Sequence, residues 1–411
     1  MSLVKGEKEI DLLVSPPCST LRLSAQHQPF LDGMRGVAIL LVLFVHFTGL
    51  APLSPAKAVF KGISAFGAHG VDLFFVLSGF LITGILLDSR SDSHFFRNFY
   101  ARRTLRIFPL YYVILAISFL VLPRFIGYFP QYAGKLARLS TFSNAWPWYV
   151  VYCSNYVAAW NNAWRHGVLD VTWSLAIEEQ YYLAWAVCVY LLSKRRLVQV
   201  CGVYILILPF LRLALLSLGA GPLQVYVLTP TRLDGVLWGS LLAIAVRDDG
   251  WLPRFLARFI KPAGLICALS VAFVVVQGKW DVFGTSELVF GYSAVALAFA
   301  SLLWLTYRNA GILRRIFSLG FLRFFGVYSY SIYLFHKPVL SVLRNSVFGE
   351  RRFRSLFCSS FEGQLLFYCV ATSATIPFSL LSWYCLEQPF LRLKKRFAAP
   401  ASPLQASATA Q

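Results

Sequence analysis

Acidic residues are scarce in this chain: 18 Asp and Glu stand against 38 Lys and Arg in 411 residues. Charged residues of both signs make up only 14% of the sequence. A water-soluble globular domain carries about 25%, so that class is excluded. The eight cysteines show no metal-ligand spacing. Cys188, Cys267, Cys369 and Cys385 fall inside apolar runs and read as small core residues. Cys153 and Cys358 lie outside such runs and are a candidate disulfide. Also missing are a Walker loop, a Rossmann glycine pattern and a His/Asp cluster that demands a metal, so no bound cofactor or metal is expected. Residues 1–30 hold Lys5, Glu7, Lys8, Glu9 and Asp11 and no apolar signal-peptide core. A solvated, disordered lead-in is expected over 1–29, and a similar low-complexity tail over 397–411.

What is present is apolar and aromatic. Hydrophobic residues reach 58% and aromatic residues 16%, with 36 Phe and 20 Tyr. The net charge is +20, and the basic residues sit at the ends of apolar runs. That placement fits orientation in a lipid bilayer better than nucleic-acid binding, and no nucleic-acid partner is expected. Ten spans are expected, near 36–53, 69–88, 107–124, 174–193, 197–218, 231–246, 262–278, 287–306, 324–344 and 364–386. The predicted fold is therefore an all-α polytopic bundle, one membrane domain over 30–396. With both termini in the cytoplasm, Lys and Arg are about twofold enriched in cytoplasmic segments. Arg102, Arg103, Arg106, Lys194, Arg195, Arg196, Lys394, Lys395 and Arg396 decide this N-in, C-in topology. Arg351, Arg352 and Arg354 run against it. The aromatic stretch 139–160 is apolar enough to be an eleventh span, but that would reverse the parity, so a re-entrant or interfacial segment is preferred.

Arg35 and His46 bracket the first apolar run. Eleven residues at about 100° each bring both onto one helix face, roughly 16 Å apart along the axis. Arg35 then lies at one membrane surface and His46 near mid-depth. An ionisable imidazole at that depth is costly and points to chemistry. A packing histidine is the plainer alternative. Arg103 and Arg106 are three apart, share a face and suit bidentate phosphate contacts; flanking charges that orient a helix would look the same. In the second span, Ser78 is a candidate acyl-bearing nucleophile or a packing residue, and Asp72 is a candidate partner for Arg232 or His69. Glu178 and Glu179 open the fourth span on the outer side, and Arg232 and Asp234 open the sixth there, paired with each other or facing a mouth. His336 is a second intramembrane histidine, beside Lys337 and a helix-kinking Pro338.

Several stretches carry a resemblance. Leu31-Asp32-Gly33-Met34-Arg35-Gly36 with His46 is followed, in order, by GVDLFFVLSGFLIT (70–83), FYARRTLRIFPLYY (99–112), WSLAIEEQYYL (173–183), RLDGVLWGSLLA (232–243), YSYSIYLFHKP (328–338) and LEQPFLRL (386–393). Over residues 30–396 the chain resembles the family-3 membrane acyltransferases, which O-acylate carbohydrates and some natural products. The resemblance implies a ten-span enzyme of the bacterial inner membrane. It implies a cytoplasmic acyl-CoA donor, acetyl-CoA first among these, as co-substrate. It makes the Arg35/His46 pair essential and points to Glu178 and Gln180 in the SLxxExQ pattern; with such a donor, Arg103 and Arg106 are the expected phosphate partners, and Arg35 binds phosphate or holds the thioester. The expected acceptor is a carbohydrate or lipid-linked sugar hydroxyl reached from outside, past Glu178, Arg232 and Asp234, with His46 as general base. A transporter or exporter, or an acyltransferase acting on a small natural product such as a macrolide, are the alternatives. Matched halves with interrupted helices, common in transporters, are not visible.

Overall fold

The computed structural model describes residues 28–48, 58–121, 124, 144–358 and 360–397. The expected disordered ends lie almost wholly outside the described residues, as does the start of the 139–160 stretch. Among the described residues every regular element is a helix. The helices that build the bundle are α1 (Pro29–Thr48), α2 (Ala58–Phe66), α3 (Gly70–Asp88), α4 (Phe95–Ala116), α5 (Thr172–Leu191), α6 (Lys194–Ser217), α7 (Asp234–Val246), α8 (Trp251–Val276), α9 (Tyr292–Arg308), α10 (Gly320–Val327), α11 (Ser329–Val342) and α12 (Phe361–Ser382).

Seven stretches are long and apolar enough to cross a membrane: Pro29–Thr48, Val59–Asp88, Phe95–Val121, Lys194–Ser217, Trp251–Val276, Glu287–Arg308 and Phe361–Arg392. The other three expected spans are helical but fall short, each for a physical reason. In α5, Glu178, Glu179 and Gln180 lower the hydropathy. The 13-residue α7 is buried along nearly all its length, so protein rather than lipid solvates it. The ninth expected span is broken at Tyr328 into α10 and α11. The second span starts about ten residues earlier than expected, because α2 leads through a tight turn at Gly67–His69 straight into α3.

Between apolar helices in lipid, close van der Waals packing replaces the hydrophobic effect as the main attraction. The centre of the bundle uses small residues accordingly. A side chain on Gly79 of α3 would overlap the Val236 carbonyl of α7, and one on Gly239 of α7 would overlap the Val76 carbonyl of α3. The two backbones are in contact there, which fixes α3 beside α7.

The described part of the 139–160 stretch forms two short helices, Trp146–Val150 and Ser154–Asn161, neither long enough to span. Trp146, Trp148 and Trp160 stay exposed. The turn between them is pinned from inside. Tyr111 donates to the Tyr149 carbonyl at 2.8 Å, Tyr112 to the Val150 carbonyl at 2.9 Å, and Gln180 to the Tyr152 carbonyl at 2.8 Å. Cys153 and Cys358 are free thiols, which corrects the candidate disulfide. The Arg351–Arg354 cluster, which runs against the charge rule, includes Arg354 pairing with Glu350 at 2.7 Å.

Candidate functional site

Two clefts meet inside the bundle. Arg35, Arg103, Arg106, Ser78, Glu178 and Tyr182 line the first. His46, Lys337, Asp170, Trp164, Trp173 and Tyr226 line much of the second. Val71 of α3 and Tyr333 of α11 belong to both walls and form the partition between them. Helix α1 runs past both clefts. Its Arg35 faces the first and its His46 the second, so the shared helix face expected from the eleven-residue spacing faces the cavities.

In the first cleft, α4 supplies Arg103 and Arg106 one turn apart, and the guanidinium carbon of Arg103 lies 5.0 Å from the Tyr182 ring centroid. Tyr182 donates to Glu178 at 2.8 Å, and the Ser78 hydroxyl bonds to Tyr182 in turn. Because the phenol proton is committed to the carboxylate, Ser78 donates to the phenol oxygen. The chain Ser78–Tyr182–Glu178 thus holds a carboxylate among three arginines. Lys394, in the last described turn, joins this cluster. Burial, and then Arg106, Arg103, Arg102 and Arg35, push its ammonium down to about 7. So many cations in one cleft suit a multiply charged anion such as a phosphate ester.

Here the structure corrects the expected geography. Glu178 does not share a mouth with Arg232 and Asp234. It lies well over a turn inside α5, and that turn points at the arginines. Gln180 faces the other way. Its amide donates to Asn155 at 3.0 Å and its carbonyl accepts from Thr229 at 2.5 Å, so it fastens α5 to the short helix Ser154–Asn161 and lines neither cleft.

Arg232 and Asp234 do not pair with each other, and neither faces an open mouth. Asp234 is fully buried and binds Arg212 of α6 at 2.6 Å, with Ser293 of α9 at 3.1 Å. Arg232 is buried and lies 2.9 Å from Asp72, which takes His69 on its other oxygen at 2.6 Å. Buried charges must be paired, and these two pairs tie α3, α6, α7 and α9 together. The Arg232 guanidinium also lies 4.1 Å from the Tyr292 ring centroid, 5.0 Å from that of Tyr226 and 5.7 Å from that of Trp173. Tyr226 and Trp173 line the second cleft, so Asp72 and Arg232 act on it from behind.

In the second cleft, His46 is half-buried and its Nδ1 lies 2.8 Å from the Val42 carbonyl. A carbonyl only accepts, so Nδ1 carries the proton and Nε2 of the neutral ring is left as an acceptor. His336, fully buried on α11, is held the same way, with Nδ1 2.6 Å from the Tyr333 carbonyl. Its Nε2 finds no partner among the described residues. The two rings are 4.8 Å apart between centroids. Lys337 and Asp170 stand nearby, and burial pushes the Asp170 carboxyl up to about 6, the Lys337 ammonium pulling it the other way.

Sequence reasoning missed Arg212, Tyr182, Lys394, Asp170 and Trp164. Arg212 carried a signal, as a lone cation inside an apolar run. Tyr182 carried one too, four residues after Glu178 and so on the same helix face; Lys394, Asp170 and Trp164 become neighbours of the site only through the fold.

Comparisons with known proteins bear on the chain as a whole. The pattern that defines the acyltransferase domain family matches residues 28–384. A peptidoglycan O-acetyltransferase, OatA, of Listeria monocytogenes is 29% identical over 340 residues, covering 79% of this chain and 51% of the relative. A putative peptidoglycan O-acetyltransferase, YrhL, of Bacillus subtilis is 29% identical over 324 residues, 76% of this chain and 48% of the relative. An O-acetyltransferase, OatA, of Staphylococcus aureus is 27% identical over 349 residues, 80% of this chain and 53% of the relative. The chain spans about half the length of these relatives. No solved structure matches. With a match that runs through both clefts and nearly the whole bundle, the chain belongs to the family-3 acyltransferases.

Proposed function

We propose that this protein is a membrane O-acetyltransferase that moves an acetyl group from acetyl-CoA to a hydroxyl of a carbohydrate outside the cytoplasm, in a bacterial inner membrane. The donor enters the first cleft. Arg35, Arg103, Arg106 and Lys394 bind its phosphates as charge-assisted partners. The thioester reaches the partition at Val71 and Tyr333. The acceptor enters the second cleft and presents a hydroxyl to His46. Nε2 of His46 takes the hydroxyl proton as the oxygen attacks the thioester carbonyl. The C–O bond forms, the C–S bond breaks, and the proton ends on the departing CoA thiol.

One observation carries the proposal: a single helix, α1, contributes Arg35 to a cationic cleft and His46 to an adjoining one. The relatives named as peptidoglycan O-acetyltransferases support acetyl as the group and a glycan as the acceptor. Membranes holding the protein are expected to consume radiolabelled acetyl-CoA only when a glycan acceptor is added, and those holding His46→Ala are not. Passage of a solute across the bilayer with no consumption of acetyl-CoA would overturn the proposal in favour of a transporter.

A further inference from the structure

The cleft around His46 has an aromatic wall that the transfer step itself does not use. Trp173 and Tyr226 form its buried floor, with ring centroids 4.8 Å apart. Trp164 is 40% exposed and Phe283 38%, so both stand at the mouth. The Trp164 ring lies 6.3 Å from both floor rings, and Phe283 lies 5.4 Å from Tyr226. Arg232, 2.9 Å from Asp72, packs against both floor rings, its guanidinium carbon 5.7 Å from the Trp173 centroid and 5.0 Å from that of Tyr226. Asp170, Lys337 and His46 line the same cleft.

This pairing of surfaces selects a ligand class. A pyranose ring has an apolar C–H face and a rim of hydroxyls that both donate and accept. Aromatic rings bury the face, and a carboxylate and an ammonium take up the rim. An acyl chain would offer no hydrogen bond to Lys337 or to the Asp170 carboxylate, of which the His166 N–H, at 2.9 Å, takes up one oxygen. A small inorganic ion would gain nothing from the rings. We propose that the second cleft holds a pyranose subsite in which Trp164 stacks on the apolar face of one sugar ring while Asp170 and Lys337 bind its hydroxyls. The proposal deepens the acetyltransfer reading and rests on it only for which hydroxyl reacts.

The test is a binding titration of the purified full chain in lipid nanodiscs. The probe is a soluble oligomer of N-acetylglucosamine and N-acetylmuramic acid. Wild type is expected to bind it saturably. Trp164→Ala is expected to weaken that binding about tenfold, and Trp164→Phe to retain it within about threefold, since a phenyl ring still stacks. Acetyl-CoA binding, read in the same samples, is expected to stay unchanged and reports that Trp164→Ala is folded. Equal glycan affinity in wild type and Trp164→Ala would overturn the subsite, as would no saturable binding to wild type. Glycan binding without acetyl transfer would sink the transferase reading alone. Transfer with an unchanged acceptor KM in Trp164→Ala would sink the subsite alone.

Discussion

The imidazoles of His46 and His336 stand 4.8 Å apart, centroid to centroid, at 48° to each other. Each has its Nδ1 tied to a backbone carbonyl three or four residues earlier on its own helix. Both rings are therefore held in the tautomer that leaves Nε2 basic. In the proposed scheme His46 faces the substrate and His336 stands behind it.

His46→Gln is expected to lower kcat by about 10²–10⁴-fold, the usual worth of a positioned general base. The acetyl-CoA KM should hardly move, because the phosphates bind in the other cleft. His336→Gln should cost less, about tenfold, and should shift the pH profile of kcat, since only the environment of the base changes. Initial rates over pH 5.5–9 check both. A wild-type profile for His336→Gln would assign His336 to packing alone.

Arg103→Ala and Arg106→Ala are each expected to raise the acetyl-CoA KM about 10–100-fold, as expected for the loss of a charge-assisted hydrogen bond. The penalty should shrink when the donor lacks its 3′-phosphate, if that phosphate is the partner removed. Steady-state kinetics with acetyl-CoA and acetyl-dephospho-CoA separate the two arginines.

The ammonium of Lys394 is pushed down to about 7. It is cationic below that pH and neutral above. Donor affinity should fall as pH rises from about 6 to about 8, because one of the phosphate partners is discharged. Lys394→Arg, which stays charged, should flatten the dependence at high affinity, and Lys394→Met should flatten it at low affinity. The acetyl-CoA KM across that window is the measurement.

Much of this was legible in one dimension. Helical periodicity alone brought Arg35 and His46 onto one face, and Arg103 and Arg106 onto another. Ten apolar runs marked the helices, and their residue types marked an all-α membrane fold. What escaped depends on distance in three dimensions. Glu178 looked like an outer-mouth residue because position along α5 says nothing about which way a turn points. Arg232 and Asp234 read as facing an outer mouth or pairing with each other, because both open the sixth apolar run, yet each pairs with a residue on another helix, Asp72 or Arg212. The 13-residue α7 read as a full span because burial by protein and burial by lipid select the same apolar residues. Lys394 reached the arginines only through the fold of the C-terminal segment.

Asp234 is therefore expected to matter for stability before activity. Removing it leaves Arg212 charged and buried without its carboxylate, which costs about 3–5 kcal/mol. Asp234→Ala should unfold in detergent at a clearly lower temperature than wild type. Replacing both partners by apolar residues of similar volume, Asp234→Leu with Arg212→Met, should recover most of the loss. Thermal unfolding of the single and double variants checks this.

The central claim is that donor and acceptor meet at the Val71–Tyr333 partition from opposite clefts. Proteoliposomes with radiolabelled acetyl-CoA sealed inside and glycan oligomer only outside test it directly. Label should appear on the outer glycan with wild type and be absent with His46→Ala. Label transferred only when acetyl-CoA and glycan share one compartment would contradict the claim.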